Sequence, residues 1–234
     1  MSVEVRPFRR EDRAAEIRWF LFWPEVSFWR GSLEAADVLL AACVSQLDRW
    51  GARMQYADGA LPFPGVYGLP EQWPHVRAAF ERGGFHRGDR VETVYLADVA
   101  DLPEVGEPPL DGLRLSRSVG INGTRLSACR GDDVAGYIEV EILAESERIG
   151  HRGRFADIGN LHVVEGERRR GVGTWLVAQA GEWLRLGRVD RVLDYTGLED
   201  EEWCASFLEA VGFRQLTRTD RGWNRTPAAP MGDL

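Results

Sequence analysis

One turn constrains this chain more than any other stretch of it. Residues 155–186 read as an apolar strand, a short charged turn and a helix whose first turn carries Arg168-x-x-Gly171-x-Gly173. After the turn, Val172, Leu176, Ala180, Trp183 and Leu184 recur at helical spacing, and the segment before it has the composition of a buried strand. A helix leaves its first amides without intrahelical acceptors, and glycines keep them uncovered and aligned with the positive end of the helix dipole. Such a turn suits a phosphate or pyrophosphate. The plainer alternative is that Gly171 and Gly173 relieve crowding where a helix crosses a sheet, with the arginines solvated.

Other phosphate loops fail on the same letters. A Walker loop needs a lysine after its last glycine, and this chain has no lysine at all. A dinucleotide fingerprint needs three glycines in G-x-G-x-x-G, and here Arg168 stands where the first would be.

The segment resembles motif A of the GCN5-related N-acetyltransferases, R/Q-x-x-G-x-G/A after an apolar strand. Neighbouring pieces come in the family's order. Residues 125–142 read as two alternating strands joined by a Gly-Asp turn, the family's second and third. Downstream, Arg191 to Tyr195 is a strand, Trp203 to Val211 a short helix, and Gly212-Phe213 the usual helix end before a last strand. The resemblance covers roughly residues 110–227. It implies an α/β fold with a central, mostly antiparallel sheet flanked by helices.

It also implies roles, residue by residue. The main-chain amides of Arg169, Arg170, Gly171, Val172, Gly173 and Thr174 would hold the pyrophosphate of acetyl-CoA, with Arg168 at the start of the loop. Leu161, His162 and Val163, on the strand before it, would pair their backbone with the pantetheine arm. Asp157, eleven positions before Arg168, sits where the histone-acetylating branch carries a glutamate general base. An alkylamine with a pKa of about 10.4 is mostly protonated at neutral pH, so freeing its lone pair costs roughly 4–5 kcal/mol unless a base takes the proton in place. An ordinary aspartate, with a pKa of about 3.9, is a weak base unless burial raises it. The alternative role for Asp157 is to hydrogen-bond neighbouring backbone. Two positions depart from the family. The tyrosine that serves many members as acid to the leaving thiolate is Leu208 here, and the asparagine six residues ahead of it is Glu202.

Composition closes several classes. A net charge of −8 argues against a nucleic-acid backbone as partner, since such binding needs clustered cationic surface. Arginines 152, 154 and 168–170 are a local exception, suited to a small anionic cofactor. Cys43, Cys129 and Cys204 have no metal or paired spacing, and His75, His86, His151 and His162 are scattered, so no metal is expected. The densest apolar run, Trp19 to Trp29, is short and broken by Pro24 and Glu25, and the first residues lack a signal peptide's apolar stretch. The expectation is a cytoplasmic protein without membrane contact, for which a homodimer remains open.

Proline, glycine and acid interrupt the pattern around residues 101–112. The expected organisation is therefore an N-terminal half over 1–103, a linker at 104–112, the acetyltransferase domain at 113–227 and a disordered tail at 228–234. The first half reads as a strand at Val3–Phe8, a helix from Leu33 to Trp50, a helix from Pro74 to Arg82, Gly84-Phe85 and a strand at 91–98. That order repeats the succession of elements after the loop in the second half, without any R-x-x-G-x-G of its own. It resembles the degenerate half of a tandem acetyltransferase. The second half runs from a strand at 113–119 almost directly into the next, with no room for the family's substrate-side helices, and helices from residues 10–50 are expected to cover that gap. Trp19, Phe20, Phe22, Trp23, Phe28 and Trp29 would then lie near the acceptor channel or, more plainly, form an inter-domain core. Tyr137, Glu139 and Glu141 share one face of a strand, which would attract a cationic amine or simply be solvated.

The chain thus reads as an acetyl-CoA-dependent N-acetyltransferase that passes the acetyl group directly to a primary amine of a small molecule or peptide, with no covalent acyl-enzyme. Its rivals are an acyl-CoA-binding or interaction protein that has lost turnover, fed by Leu208, and a protein of this fold that binds another nucleotide.

Overall fold

Ala36, Leu40 and Leu47 recur on one side of the segment after residue 32 and are all buried, which is why it forms an amphipathic helix. The computed structural model describes residues 14–16, 33–57, 67–143, 153–197 and 201–227. Within it the chain divides into two units, a smaller one built from the described residues before Val91 and after Arg218, and a larger one over Val91–Arg218.

The smaller unit contains β1 (Ala14–Glu16), α1 (Leu33–Arg49), β2 (Met54–Tyr56), β3 (Leu69–Pro70) and α2 (Pro74–Arg82). Pro74 opens α2, where its missing N–H costs nothing, and Val76, Ala79 and Phe80 turn inward. Gly83 lets α1 close in: a Cβ there would lie 2.4 Å from Leu40 Cδ2. The helices expected at Leu33–Trp50 and Pro74–Arg82 are therefore present. Within 10–50, Ala14–Glu16 is a strand paired in parallel with β2, so the helical expectation fails there. The strand expected at Val3–Phe8, the aromatic group of residues 19–29 and the tail at 228–234 lie outside the described residues.

The larger unit contains β4 (Val91–Asp98), β5 (Leu113–Val119), β6 (Thr124–Arg130), β7 (Asp133–Ile142), β8 (Phe155–Val163), α3 (Val172–Leu186), β9 (Arg191–Gly197), α4 (Glu201–Ala210) and β10 (Arg214–Asp220), whose last two residues pass into the smaller unit. Its strands run in the order β10-β4-β9-β8-β7-β6-β5. β4–β9, β5–β6, β6–β7 and β7–β8 are antiparallel, and β8–β9 is parallel. This is the mixed α/β, mostly antiparallel architecture expected. One face carries Leu126, Ile138, Val140, Ala156, Ile158 and Val192 against α3 and α4 in a single core. The opposite face carries Arg125, Tyr137, Glu139, Glu141 and Asp157, as strand alternation requires.

The break at residues 104–112 does not separate the units. That segment lies inside the larger one, because β4 leaves the N-terminal half and pairs with β9 from Glu92–Gly197 to Asp98–Arg191. In return, β10 ends beside β3, and β11 (Asn224–Arg225) pairs with β2, completing the smaller unit. Trp223, 1 % exposed, fills that unit's core edge-on to Phe80, with ring centroids 5.7 Å apart.

Candidate active site

The ladder between β8 and β9 joins Phe155, Ala156 and Asp157 to Arg191, Val192 and Leu193 and then stops, although both strands continue. Beyond Asp157 the backbone of β8 pairs with β7 alone. A bulge assists the parting. Glu139 pairs with Asn160 while Val140 pairs with Ile158, leaving Gly159 as an extra residue. Only glycine fits there, since a Cβ would lie 2.3 Å from Asn122 Cβ.

Leu161, His162 and Val163 occupy the parted end of β8. His162 is exposed and stacks obliquely on Tyr137, the other two lean on the core, and the Val163 carbonyl accepts a 3.0 Å hydrogen bond from Arg168 Nε. The turn comes next. Arg169 and Gly171 both adopt left-handed backbone, with φ of 60° and 85°. Gly171 caps α3 and its carbonyl accepts from the Trp175 amide, but among the described residues no amide from Arg169 to Thr174 donates to a backbone carbonyl outside the helix. The buried Glu167 braces the turn from beneath, accepting hydrogen bonds from Arg130 and Arg170. Gly173 faces Phe207 of α4 and Val163, at 3.4 and 3.8 Å from the position a Cβ would take. The site residues expected from sequence thus follow one another along the chain, from the end of the ladder to the first turn of α3, with those on β8 alternating between its two faces.

Asp157 stands at the parting point, on the face opposite α3. Its Oδ1 is buried and has no hydrogen-bond partner among the described residues. Burial first, and the neighbouring charge of Glu141 second, push its carboxyl up to about 6, with only its own amide pulling the other way. Glu141 pairs with it directly across β7–β8. Glu139, on the same face, behaves oppositely. It is fully buried, and burial works against its charge, but hydrogen bonds from Asn160, Arg125 and the amides of Ile121 and Asn122 outweigh that and hold it at about 2. This corrects the solvated reading of that face at Glu139: the β5–β6 turn folds over it.

Sequence reading passed over Asp194, Asn160 and Glu167. Asp194, on β9, is pushed up to about 7 by burial and, more weakly, by the charge of Asp157, against a hydrogen bond from the Tyr195 amide. A carboxylate between Leu193 and Tyr195 inside a strand was the signal available for it. Leu208 is 2 % exposed in the core, so that position offers no acid. The side chain of Glu202 lies outside the described residues. No group of side chains suited to a metal ion occurs among the described residues, and no described helix is long and apolar enough to cross a membrane.

The family model for the Acetyltransferase (GNAT) family matches residues 92–213, and the chain belongs to that family. The match includes β4 and lies wholly within the larger unit, omitting 219–225. Among solved structures, a tandem GNAT protein from the clavulanic acid biosynthesis pathway is similar at 17 % identity and TM-score 0.60, over 94 % of this chain and 77 % of that one. A GCN5-related N-acetyltransferase from Kribbella flavida is similar at 10 % identity and TM-score 0.55, over 85 % and 79 %. The chain spans 26 % of the length of a fungal multi-domain GH3 β-N-acetylglucosaminidase with a GCN5-related glucosamine N-acetyltransferase region, at 17 % identity, TM-score 0.49 and 78 % of this chain. No curated protein matches the sequence.

Proposed function

We propose that this chain is an acetyl-CoA-dependent N-acetyltransferase acting on a primary amine of a small molecule or peptide. The observation that carries the reading is the junction of two features: the parted β8–β9 ladder and the uncovered amides of the α3 turn. The residues suit the donor. Amides from Arg169 to Thr174 would bind its diphosphate, Gly171 leaves an exposed cradle that a side chain would fill, and the free edge of β8 at Leu161 and His162 would pair with the amides of the pantetheine arm. Arg168 is tied to Val163 and so shapes the turn as well as adding charge. When bound, acetyl-CoA supplies a thioester, an acyl group already activated for transfer.

The chain's own residues do the rest. Asp157, raised into the range where a carboxylate is a useful base, accepts the proton that a primary amine must lose. Its unpartnered Oδ1 is the atom that receives it. Glu141 and Asp157 make this part of the face acidic, which draws a cationic amine toward the base, while Glu139 is already paired with Arg125. In this reading the acyl group passes directly to the amine, without an acyl-enzyme. The smaller unit is assigned as a degenerate half of a tandem protein, by analogy with the tandem neighbour. A cytoplasmic location and an acceptor that is neither nucleic acid nor membrane belong to the same reading.

The test is thiol release from acetyl-CoA with a panel of polyamines, aminoglycosides, amino sugars and peptide N-termini. Turnover with one class, lost in Asp157→Asn while calorimetry shows acetyl-CoA affinity intact, is the expected result. Binding of CoA without turnover on any amine would replace this reading with a binding protein, and failure to bind CoA would remove both.

A further inference from the structure

Strand alternation separates the two raised carboxyls. Asp157 follows Ala156, which lies in the core under α3, so Asp157 points to the opposite face. Asp194 follows Leu193, the ladder partner of Asp157, and alternates with Val192, which is in that core. Asp194 therefore faces α3 and α4. Its β4 partner, Tyr95, is in the same core and supports that assignment. The end of the ladder thus carries one carboxyl on each side of the sheet, one residue apart in register.

The side of Asp194 is the side of the anion-binding turn, and it is where α4 contributes Leu208 in place of the family's acidic tyrosine. Resting on the acetyltransferase reading above, we propose that Asp194 is a second catalytic residue, the acid that protonates the departing CoA sulfur while Asp157 takes a proton from the amine on the other face. The balance is complete without a further reactant. The ammonium first passes one proton through Asp157 to solvent; the freed nitrogen then bonds to the acyl carbon, the carbon–sulfur bond breaks with its electron pair on sulfur, the second amine proton goes to Asp157, and the Asp194 proton goes to sulfur. Solvent then returns a proton to Asp194 and removes one from Asp157.

The groups around Asp194 favour this division. Tyr95 stands opposite on β4, and Asp157 lies across the ladder end with Glu141 beyond it. Among the described residues no arginine is paired with Asp194, and the core side chains that α3 and α4 place on that face, such as Leu176, Ala180 and Leu208, are apolar. Among its contacts only the Tyr195 amide, at 2.7 Å on Oδ1, favours the ionised form. A carboxyl held protonated to about 7 gives its proton readily to a thiolate whose acid has a pKa of about 8.5, and the lower-titrating Asp157 is then the base.

Binding and turnover test this separately, on the full chain. Free CoA should bind about fivefold tighter than desulfo-CoA, as one hydrogen bond to sulfur predicts, and Asp194→Ala should erase that preference while leaving the affinity for desulfo-CoA unchanged. Retention of the preference in the variant, or its absence in the wild type, overturns the proposal whether or not an acceptor is found. In turnover, Asp194→Asn should lower kcat about 100-fold with little change in the KM for acetyl-CoA and abolish the fall in rate at high pH, and Asp194→Glu should recover part of it. A loss under about threefold, or an unchanged high-pH limb, also overturns it. Carboxyl carbon NMR of the free protein guards against a folding artefact: Asp194 should titrate near neutrality and shift down in Asp157→Asn, and titration in the ordinary aspartate range counts against the proposal. Absence of turnover with CoA discrimination intact would instead sink the acetyltransferase reading and the acid role with it, leaving only the contact of Asp194 with the CoA sulfur.

Discussion

Two carboxylates on one sheet face show how little residue type decides by itself. Glu139 and Asp157 are both removed from water, yet one is held at about 2 and the other pushed to about 6, because Glu139 has a guanidinium, a side-chain amide and two backbone amides to accept from, whereas Asp157 Oδ1 has none. Stability should divide the same way. Replacing Arg125 with alanine leaves Glu139 a buried, weakened ion and should cost about 3 kcal/mol in a urea titration. Asp157→Asn should do the reverse. The carboxyl of Asp157 titrates higher folded than its reference value of 3.8, so the native state is unpenalised below about pH 4 and loses stability as pH rises through about 6. The variant should therefore melt higher than wild type at pH 8, with the gap closing toward pH 4, while its acetylation rate collapses. A variant that melts lower at pH 8 would place Asp157 in a structural role instead. The wild-type rate itself should climb as pH passes about 6, where the base ionises.

At the scale of elements, the features legible ahead of the structure were those that local chemistry writes down. The turn before α3, the bounds of β5 and the Gly-Asp turn between β6 and β7 all derive from glycine placement and period, and they fall where expected. The bulge at Gly159 was not legible, because it is set by the approach of Asn122 from a turn 37 positions earlier. Nor was the burial of Glu139, which depends on the same turn folding back. The roles of the α3 turn remain testable on the element itself. Gly171→Val sets a branched side chain at a φ of 85° and within 3.0 Å of Pro109. Thermal melting should show a loss of about 2 kcal/mol, and calorimetry at a temperature where the variant is still folded should show CoA affinity down by at least tenfold. Undiminished affinity in a folded variant would remove the turn from the binding site.

At the scale of the whole chain, the expected division at residues 104–112 fails for a reason no local pattern carries. A strand's partner is chosen by the sheet, and β4 finds its partner, β9, about a hundred positions downstream, while residues 219–225 return to strands of the N-terminal half. Each unit therefore contains a piece of chain from the far end of the sequence. The consequence is that the fragment 104–234 should not behave as a domain. Without β4, the ladder partners of Arg191–Gly197 are missing, and Tyr95 and Ala97 are taken out of the core that α3 and α4 cover. Its own residues 219–225 would keep unpaired the edges they now share with β2 and β3. Expressed alone, the fragment should be insoluble or lack cooperative thermal unfolding, and co-expression with residues 1–103 should restore a soluble pair that copurifies and binds CoA. A fragment starting at residue 91 supplies β4 and should recover solubility in part, still lacking β3 beside β10 and β2 beside β11. If 104–234 instead unfolds cooperatively by itself and binds CoA, then β4 is dispensable to the sheet and the exchange between the halves carries no part of the stability assigned to it.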